Sequence, residues 1–162
     1  MVKVIKVIPD VKLILIGDGL LLGEYMRLSN SLGLQNNTTF LGFVETEDLL
    51  KFYASCDIFI LPSELEGFGQ VLLEAMASGT PCICANKDPM MEILGNAGET
   101  FKANDPEDLS FKIIELLKDR KKLANLKEKT IENIKKYNLT ALSKQFRKYF
   151  KKFLWENRDM IN

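Results

Sequence analysis

Short apolar runs alternate with amphipathic stretches over the first hundred residues, the pattern of a parallel sheet with helices packed on its faces. The apolar runs Lys12–Ile16, Thr39–Phe43, Ile58–Leu61 and Pro81–Ala85 predict strands, with a shorter one near Glu99–Phe101. Apolar residues at helical spacing predict helices between them, over Leu20–Leu32, Thr46–Ala54, Gly69–Ala77 and Pro89–Leu94. Val2–Ile8 reads as a further helix at the start, although Val2, Val4 and Lys6 leave a weak strand over Met1–Val7 as the alternative. Asp105-Pro106-Glu107-Asp108 is a helix start, with Asp105 as N-cap, Pro106 at the first position and Asp108 in the first turn.

The expected fold class is α/β, a Rossmann-like parallel sheet over residues 1–118, with residues 119–162 as C-terminal helices packing on that domain or on another one. Leu142, Phe146, Tyr149, Phe150 and Phe153 repeat at three and four residues and form an apolar stripe flanked by Lys144, Arg147, Lys148, Lys151 and Lys152. A helix packed on its own domain with a solvated basic face explains the stripe better than binding to a membrane surface.

A length of 162 residues bounds the chain to about one domain, and 22 basic against 22 acidic side chains argue against a nucleic-acid binder. Histidine is absent, which removes the commonest general base and metal ligand. Cys56, Cys82 and Cys84 are too few for a disulfide framework and wrongly spaced for zinc, so they read as small apolar side chains of a buried strand. No apolar run approaches the ~20 residues that span a bilayer, and the cytoplasm is the default compartment.

The candidate chemistry lies in the run from Glu64 to Pro81. Gly67 and Gly69 provide a turn of unusual backbone angles and bare amides, followed at once by a helix. Helix-opening amides lack internal partners and carry the positive end of the dipole, so a diphosphate is stabilised there. Glu66 precedes that turn, and Glu74 lies about 7 to 8 Å further along the helix, at ~1.5 Å rise per residue. A nucleotide sugar has the matching layout: Glu66 would hold sugar hydroxyls, Glu74 the ribose, and the amides between them the diphosphate. Gly67, Phe68, Gly69 and Gln70 complete this donor-binding run.

Ligands of open parallel sheets bind beyond the carboxyl ends of the strands, which brings Gly17, Gly19, Phe43 and Val44 into the candidate site. Phe43 reads equally well as a core aromatic ending its strand. Gly17-Asp18-Gly19-Leu20-Leu21-Leu22 falls one residue short of a dinucleotide fingerprint, because Leu22 stands at the third glycine. Lys87 is near the same edge, where an exposed lysine is usually only solvated.

These motifs, in this order, resemble the C-terminal, donor-binding domain of the family 4 retaining glycosyltransferases, the glycosyl transferases group 1 domain of the two-domain GT-B architecture. The resemblance runs through Pro9 to Gly19, Phe40 to Val44, Ala54 to Ser63 and the glutamate run, and covers about Val11 to Lys118. It implies sugar contacts at Glu66, the one candidate catalytic residue and then only as a positioning group, together with amide contacts at Gly67, Phe68 and Gly69 and ribose contacts at Glu74. A nucleotide base near Phe43 and Val44 is implied as well. No bound metal or other cofactor is expected; the nucleotide sugar is the donor substrate. Lys87-Asp88 stands where the family often has paired glycines, a departure that bears on donor-sugar selectivity.

The resemblance also implies a central first strand with a Gly-Arg…Lys-Gly phosphate loop, and an acceptor-binding N-terminal domain or partner chain. Both fall outside the match, so a fragment, an excised domain or one subunit of a split enzyme is expected, inactive alone. Peripheral association with the inner membrane surface would come through the acceptor or a partner. A sheet without its first strand would leave backbone groups unpaired in its middle, to be met by a partner chain, by dimerisation or by Met1–Val7 as a strand. Two other readings stand beside the transferase: a non-catalytic nucleotide-binding or interaction subunit and, more weakly, a sugar-nucleotide epimerase.

Overall fold

Every strand pair is parallel, so each strand is reached by a crossover through a helix, as the alternating pattern requires. The computed structural model describes residues 1–137. In chain order the elements are α1 (Val2–Val7), β1 (Leu13–Ile16), α2 (Leu22–Ser31), β2 (Thr38–Gly42), α3 (Thr46–Ser55), β3 (Phe59–Leu61), α4 (Gln70–Ala77), β4 (Cys82–Ala85), α5 (Met90–Leu94), β5 (Gly98–Phe101), α6 (Pro106–Lys118) and α7 (Arg120–Ile134). A 3-10 turn, Lys135–Tyr137, follows. The apolar stripe from Leu142 to Phe153 lies outside the described residues.

Element order follows the sequence pattern, with ends shifted by a residue or two. The α1 segment is helical, which overturns the strand alternative at Met1–Val7. Val4 explains the outcome: it is fully buried in the main core, on a helix packed against α6. Asp105 caps α6 as expected, its carboxylate accepting from the amides of Glu107 and Asp108 at 3.1 and 3.0 Å. Asp119 ends α6 and caps α7, accepting from the Lys122 amide at 2.9 Å.

In line with the expected gap in the middle of the sheet, the strands form two pieces: a two-stranded piece, β1-β2, and a three-stranded piece in the order β3-β4-β5. β4 is central in the larger piece and all four of its residues are buried, as a parallel strand covered on both faces must be. Packing there is tight enough to dictate a glycine, because a Cβ on Gly98 of β5 would lie 2.4 Å from the Cys82 carbonyl oxygen and 2.5 Å from Leu94 Cδ1.

Around β4 the core gathers Leu72 and Met76 of α4, Met90 and Leu94 of α5, Leu116 of α6 and Leu123 and Leu126 of α7. Asn133 of α7, also buried, donates to the carbonyls of Ile93 and Leu94 at 2.8 and 3.2 Å and so satisfies the end of α5. Glu99 of β5 bridges two helices, reaching Lys112 of α6 at 3.1 Å and Lys122 of α7 at 2.7 Å. Cys82 and Cys84 are buried in β4 as expected, and burial pushes both thiols up, Cys84 to about 11. Cys56 departs from that expectation: it follows α3, half-buried, in no strand.

Residues 12–48 contribute nothing to this core. The β1-β2 piece buries Leu34 and Ser29 on its own account but leaves Ile14 and Leu15 of β1 exposed at 44% and 39%. Tyr25, Leu28 and Leu32 of α2 are exposed too.

Candidate functional site

The chain leaves β3 through residues 62–68 and re-enters regular structure at Gly69, whose φ of 65° is left-handed and suits only glycine well. Gly69 is the N-cap of α4 and carries no side chain to serve it. Its carbonyl accepts from the Leu72 and Leu73 amides at 2.9 and 3.3 Å, while the amides of Gln70 and Val71 have no partner among the described residues. They are the donors that a negative group would meet at the positive end of the helix. Gly67 differs from Gly69: its φ is not positive and a Cβ there would meet open space, so backbone strain is no reason for a glycine at 67.

The two glutamates stand in different surroundings. Glu66 is half-buried and makes no hydrogen bond or ion pair among the described residues. Glu74, one turn into α4, is already oriented: its carboxylate accepts from Gln70 Nε2 at 3.0 Å and from the Tyr53 hydroxyl at 3.4 Å. An ionised carboxylate offers about four lone-pair sites, so two donors leave Glu74 room for hydroxyls of a ligand.

Tyr53 is the site residue that sequence reasoning missed. It lies on α3, four residues after Leu49, and that spacing reads only as a core stripe. The ring is buried against Phe59, edge to face, with centroids 5.3 Å apart, and the Tyr53 carbonyl accepts from the Thr80 hydroxyl. Burial first, and then the neighbouring Glu74 charge and its hydrogen bond, push the phenol up to about 12. At neutral pH Tyr53 is therefore a donor held against Glu74. An open hollow of about 460 Å³, lined by Gln70, Leu73, Glu74, Ala77, Ile134, Lys135 and Tyr137, adjoins the carboxylate, within the size range of small-molecule sites.

The remaining candidates sit on the smaller sheet piece. Gly17, with φ of 135°, donates from its amide to the Gly42 carbonyl at 2.8 Å and so ties the loop after β1 to the end of β2. Asp18 turns the same loop by accepting from the Gly19 amide at 2.8 Å. Phe43 is 71% exposed, which removes the core reading of its ring, and Val44 beside it is half-buried. All four stand at the carboxyl ends of β1 and β2, as Glu66 to Glu74 follow the carboxyl end of β3. No hydrogen bond joins the two groups among the described residues. Also among those residues, no three acidic or cysteine side chains converge as a metal site, and no helix is long and apolar enough to cross a membrane.

The chain is 34% identical over 127 residues to N-acetyl-alpha-D-glucosaminyl L-malate synthase of Bacillus anthracis, covering 77% of this chain and 33% of that protein. It is 32% identical over 145 residues to the sulfoquinovosyl transferase SQD2 of Arabidopsis thaliana, covering 86% of this chain and 28% of that one. The chain thus spans about a third of the length of these curated relatives.

Among solved structures, Anabaena Alr3699/HepE in complex with UDP-glucose superposes with a TM-score of 0.78 at 26% identity, over 89% of this chain and 42% of that one. Sucrose-phosphate synthase from Thermosynechococcus elongatus gives 0.80 at 24%, over 96% of this chain and 41% of that chain, and supports the fold. The sequence profile described as Glycosyl transferases group 1 matches residues 1–136. With that match spanning most of its length, this chain belongs to the glycosyl transferases group 1 family.

Proposed function

We propose that the chain is the donor-binding part of a retaining glycosyltransferase that moves a sugar from a nucleotide diphosphate to an acceptor. The observation that carries this reading is the build of α4: a left-handed glycine, two amides unpartnered among the described residues and, one turn on, a carboxylate steered by Tyr53 and Gln70. The amides take the diphosphate, Glu74 takes the ribose hydroxyls, and Glu66, free of partners among the described residues, takes hydroxyls of the sugar. Phe43, exposed at the neighbouring strand end, offers an apolar surface for the base. The complex of Anabaena HepE with UDP-glucose supports a nucleotide sugar as the ligand class.

Chemistry in such a site is positioning plus stabilisation of the departing diphosphate, and helix amides supply the second without a proton to move. An acceptor-binding domain or partner chain completes the cleft, and residues 1–162 alone bind the donor weakly and transfer little. The cytoplasm, at the inner membrane surface where the acceptor requires it, is part of the same proposal.

Calorimetry with UDP, GDP and their glucose and mannose conjugates tests it. Glu74→Ala should lower affinity for every one of these ligands roughly 10- to 100-fold, the worth of charge-assisted hydrogen bonds. Glu66→Ala should weaken the sugar conjugates while leaving the bare diphosphates alone. Unchanged binding by Glu74→Ala would remove the ribose assignment.

A further inference from the structure

A second hollow, of about 300 Å³, lies between α2 and β2 and is at the lower end of the size range for small-molecule sites. Met26, Ser29 and Asn30, spaced at three and four residues, bring one face of α2 to it. Thr38 and Phe40 line it from one face of β2, with Thr39 between them, and Gln35 comes from the turn that joins the two elements. That turn is pinned by its own backbone: Gly33 donates to the Asn30 carbonyl at 3.0 Å, Leu34 to the Ser29 carbonyl at 2.9 Å, and Asn37 and Thr38 to the Leu34 carbonyl at 2.9 Å. The walls are thus set before any ligand arrives. Thr38 opens β2 whereas Phe43 and Val44 follow its end, so five strand residues at ~3.3 Å each put about 16 Å between this hollow and the strand ends where the nucleotide is proposed.

Two hydroxyls of the lining stand without partners. Ser29 is 6% exposed and Thr38 is half-buried, and Ser29 Oγ and Thr38 Oγ1 are closed to solvent with no hydrogen bond among the described residues. A buried hydroxyl left unbonded is costly, and native folds keep few of them. The exposed Asn30 and Gln35 side chains also make no hydrogen bond among the described residues, which leaves two carboxamides free at the same place. The lining further restricts what can enter. None of its residues is charged, so a phosphate, a carboxylate or an ammonium group would be desolvated there without a counter-charge. Hydroxyls and carboxamides each donate and accept, which suits a ligand edged with hydroxyls of its own. Met26 and Phe40 offer a thioether and an aromatic face to an apolar side. A pyranose ring combines the two, with C–H groups across a face and hydroxyls around its rim.

We infer that the hollow between α2 and β2 is a binding site for one neutral sugar unit, which takes hydrogen bonds with Ser29, Thr38, Asn30 and Gln35 and lays its apolar face on Phe40. The site is separate from α4 and stands even if α4 holds no nucleotide.

Amide NMR shifts on the chain of 162 residues, titrated with methyl α-D-glucoside, methyl α-D-mannoside and methyl α-D-galactoside, test the site. At least one glycoside should give saturable shifts at Ser29, Asn30, Gln35 and Thr38, and inorganic phosphate and glucuronate should leave these four unmoved. The same shifts should persist in Glu66→Ala, which removes the sugar contact proposed beside α4 and so keeps the two sites apart. Thr38→Val preserves the shape of its side chain, and Ser29→Ala takes away only the hydroxyl. Each should weaken the glycoside about tenfold, the worth of one well-made hydrogen bond. Neither should melt below wild type, because the hydroxyl that each removes has no partner among the described residues. Gln35→Ala, at an exposed position, should weaken the glycoside as well without touching the interior. Lower melting of both Thr38→Val and Ser29→Ala with sugar affinity unchanged would show that enclosed water already bonds the hydroxyls, and would overturn the inference. Shifts that fail to saturate with all three glycosides would overturn it too. Saturation by adenosine and by no glycoside would give the hollow to a nucleoside and remove the sugar.

Discussion

Tyr53→Phe removes one hydroxyl and should abolish a specific part of the loss of stability in alkali. The phenol is buried against Phe59 and faces the Glu74 carboxylate at 3.4 Å, and these surroundings raise it from the usual value near 10 to about 12. The native state thus holds its proton at pH values where the unfolded chain has released it, so the contribution is complete below pH 10 and is lost as pH rises through 12. At pH 11 the unfolded phenol is about nine-tenths ionised and the buried one about one-tenth, which makes the loss between pH 8 and 11 about 1.4 kcal/mol. Cys82 and Cys84 also lose stability in this range, since burial raises them, but they do so equally in both proteins. Urea unfolding at pH 8 and pH 11 on wild type and variant isolates the tyrosine as a difference of differences. At pH 8 the variant should be less stable by about 0.5 kcal/mol, the low end for a hydrogen bond, because this one is long. An alkaline loss of the same size in Tyr53→Phe and wild type would refute the placement of the phenol against Glu74.

Three further substitutions separate features that look alike in sequence. Gly69→Ala should cost about 1 to 2 kcal/mol in urea unfolding because of its left-handed φ, whereas Gly67→Ala, in open space at an ordinary φ, should stay within about 0.5 kcal/mol of wild type. Gly98→Ala should cost about 3 kcal/mol, the upper end for overpacking, since the atom in the way is a backbone oxygen that has no rotamer to escape to. Glu99→Gln should cost about 1 kcal/mol at pH 7 and flatten the acid limb of the stability curve. Burial pushes the Glu99 carboxyl up, but hydrogen bonds from Lys122 and Lys112 and their charges outweigh it, and the net shift is downward. Its contribution is therefore present above the ordinary carboxyl value of about 4.3 and fades as pH falls below it, which urea midpoints at pH 7 and 3.5 will resolve.

Much of the architecture is legible in the chain because its local signals agree. Pro81 to Ala85 is an unbroken apolar run between Gly79 and Lys87, and only a fully covered strand suits it. Asp105, Pro106 and Asp108 mark a helix start by three separate mechanisms that all name one residue boundary. The division of the sheet was foreseen as a gap in hydrogen bonding, but nothing in residues 12–48 announces how few contacts they share with the rest. That is decided by tertiary packing, which a period of apolar residues cannot report. At the candidate site, glycine spacing marks the start of α4 yet makes Gly67 and Gly69 look equivalent, since composition carries no φ. Tyr53 stayed hidden because its aromatic ring satisfies a core stripe while its hydroxyl, the part that matters, leaves no trace in hydrophobic periodicity.

Among the described residues, the weak attachment of residues 12–48 predicts that cooperativity stops partway across the fold. Heat or urea should dissolve the β1-β2 piece first and leave the larger piece intact, so that melting proceeds in two stages. A trace of trypsin would then cut within α2, at Arg27, while the remainder still resists digestion. Whatever reaches the loops at Gly17 and Phe43 must rest on the part of the fold that lets go most easily.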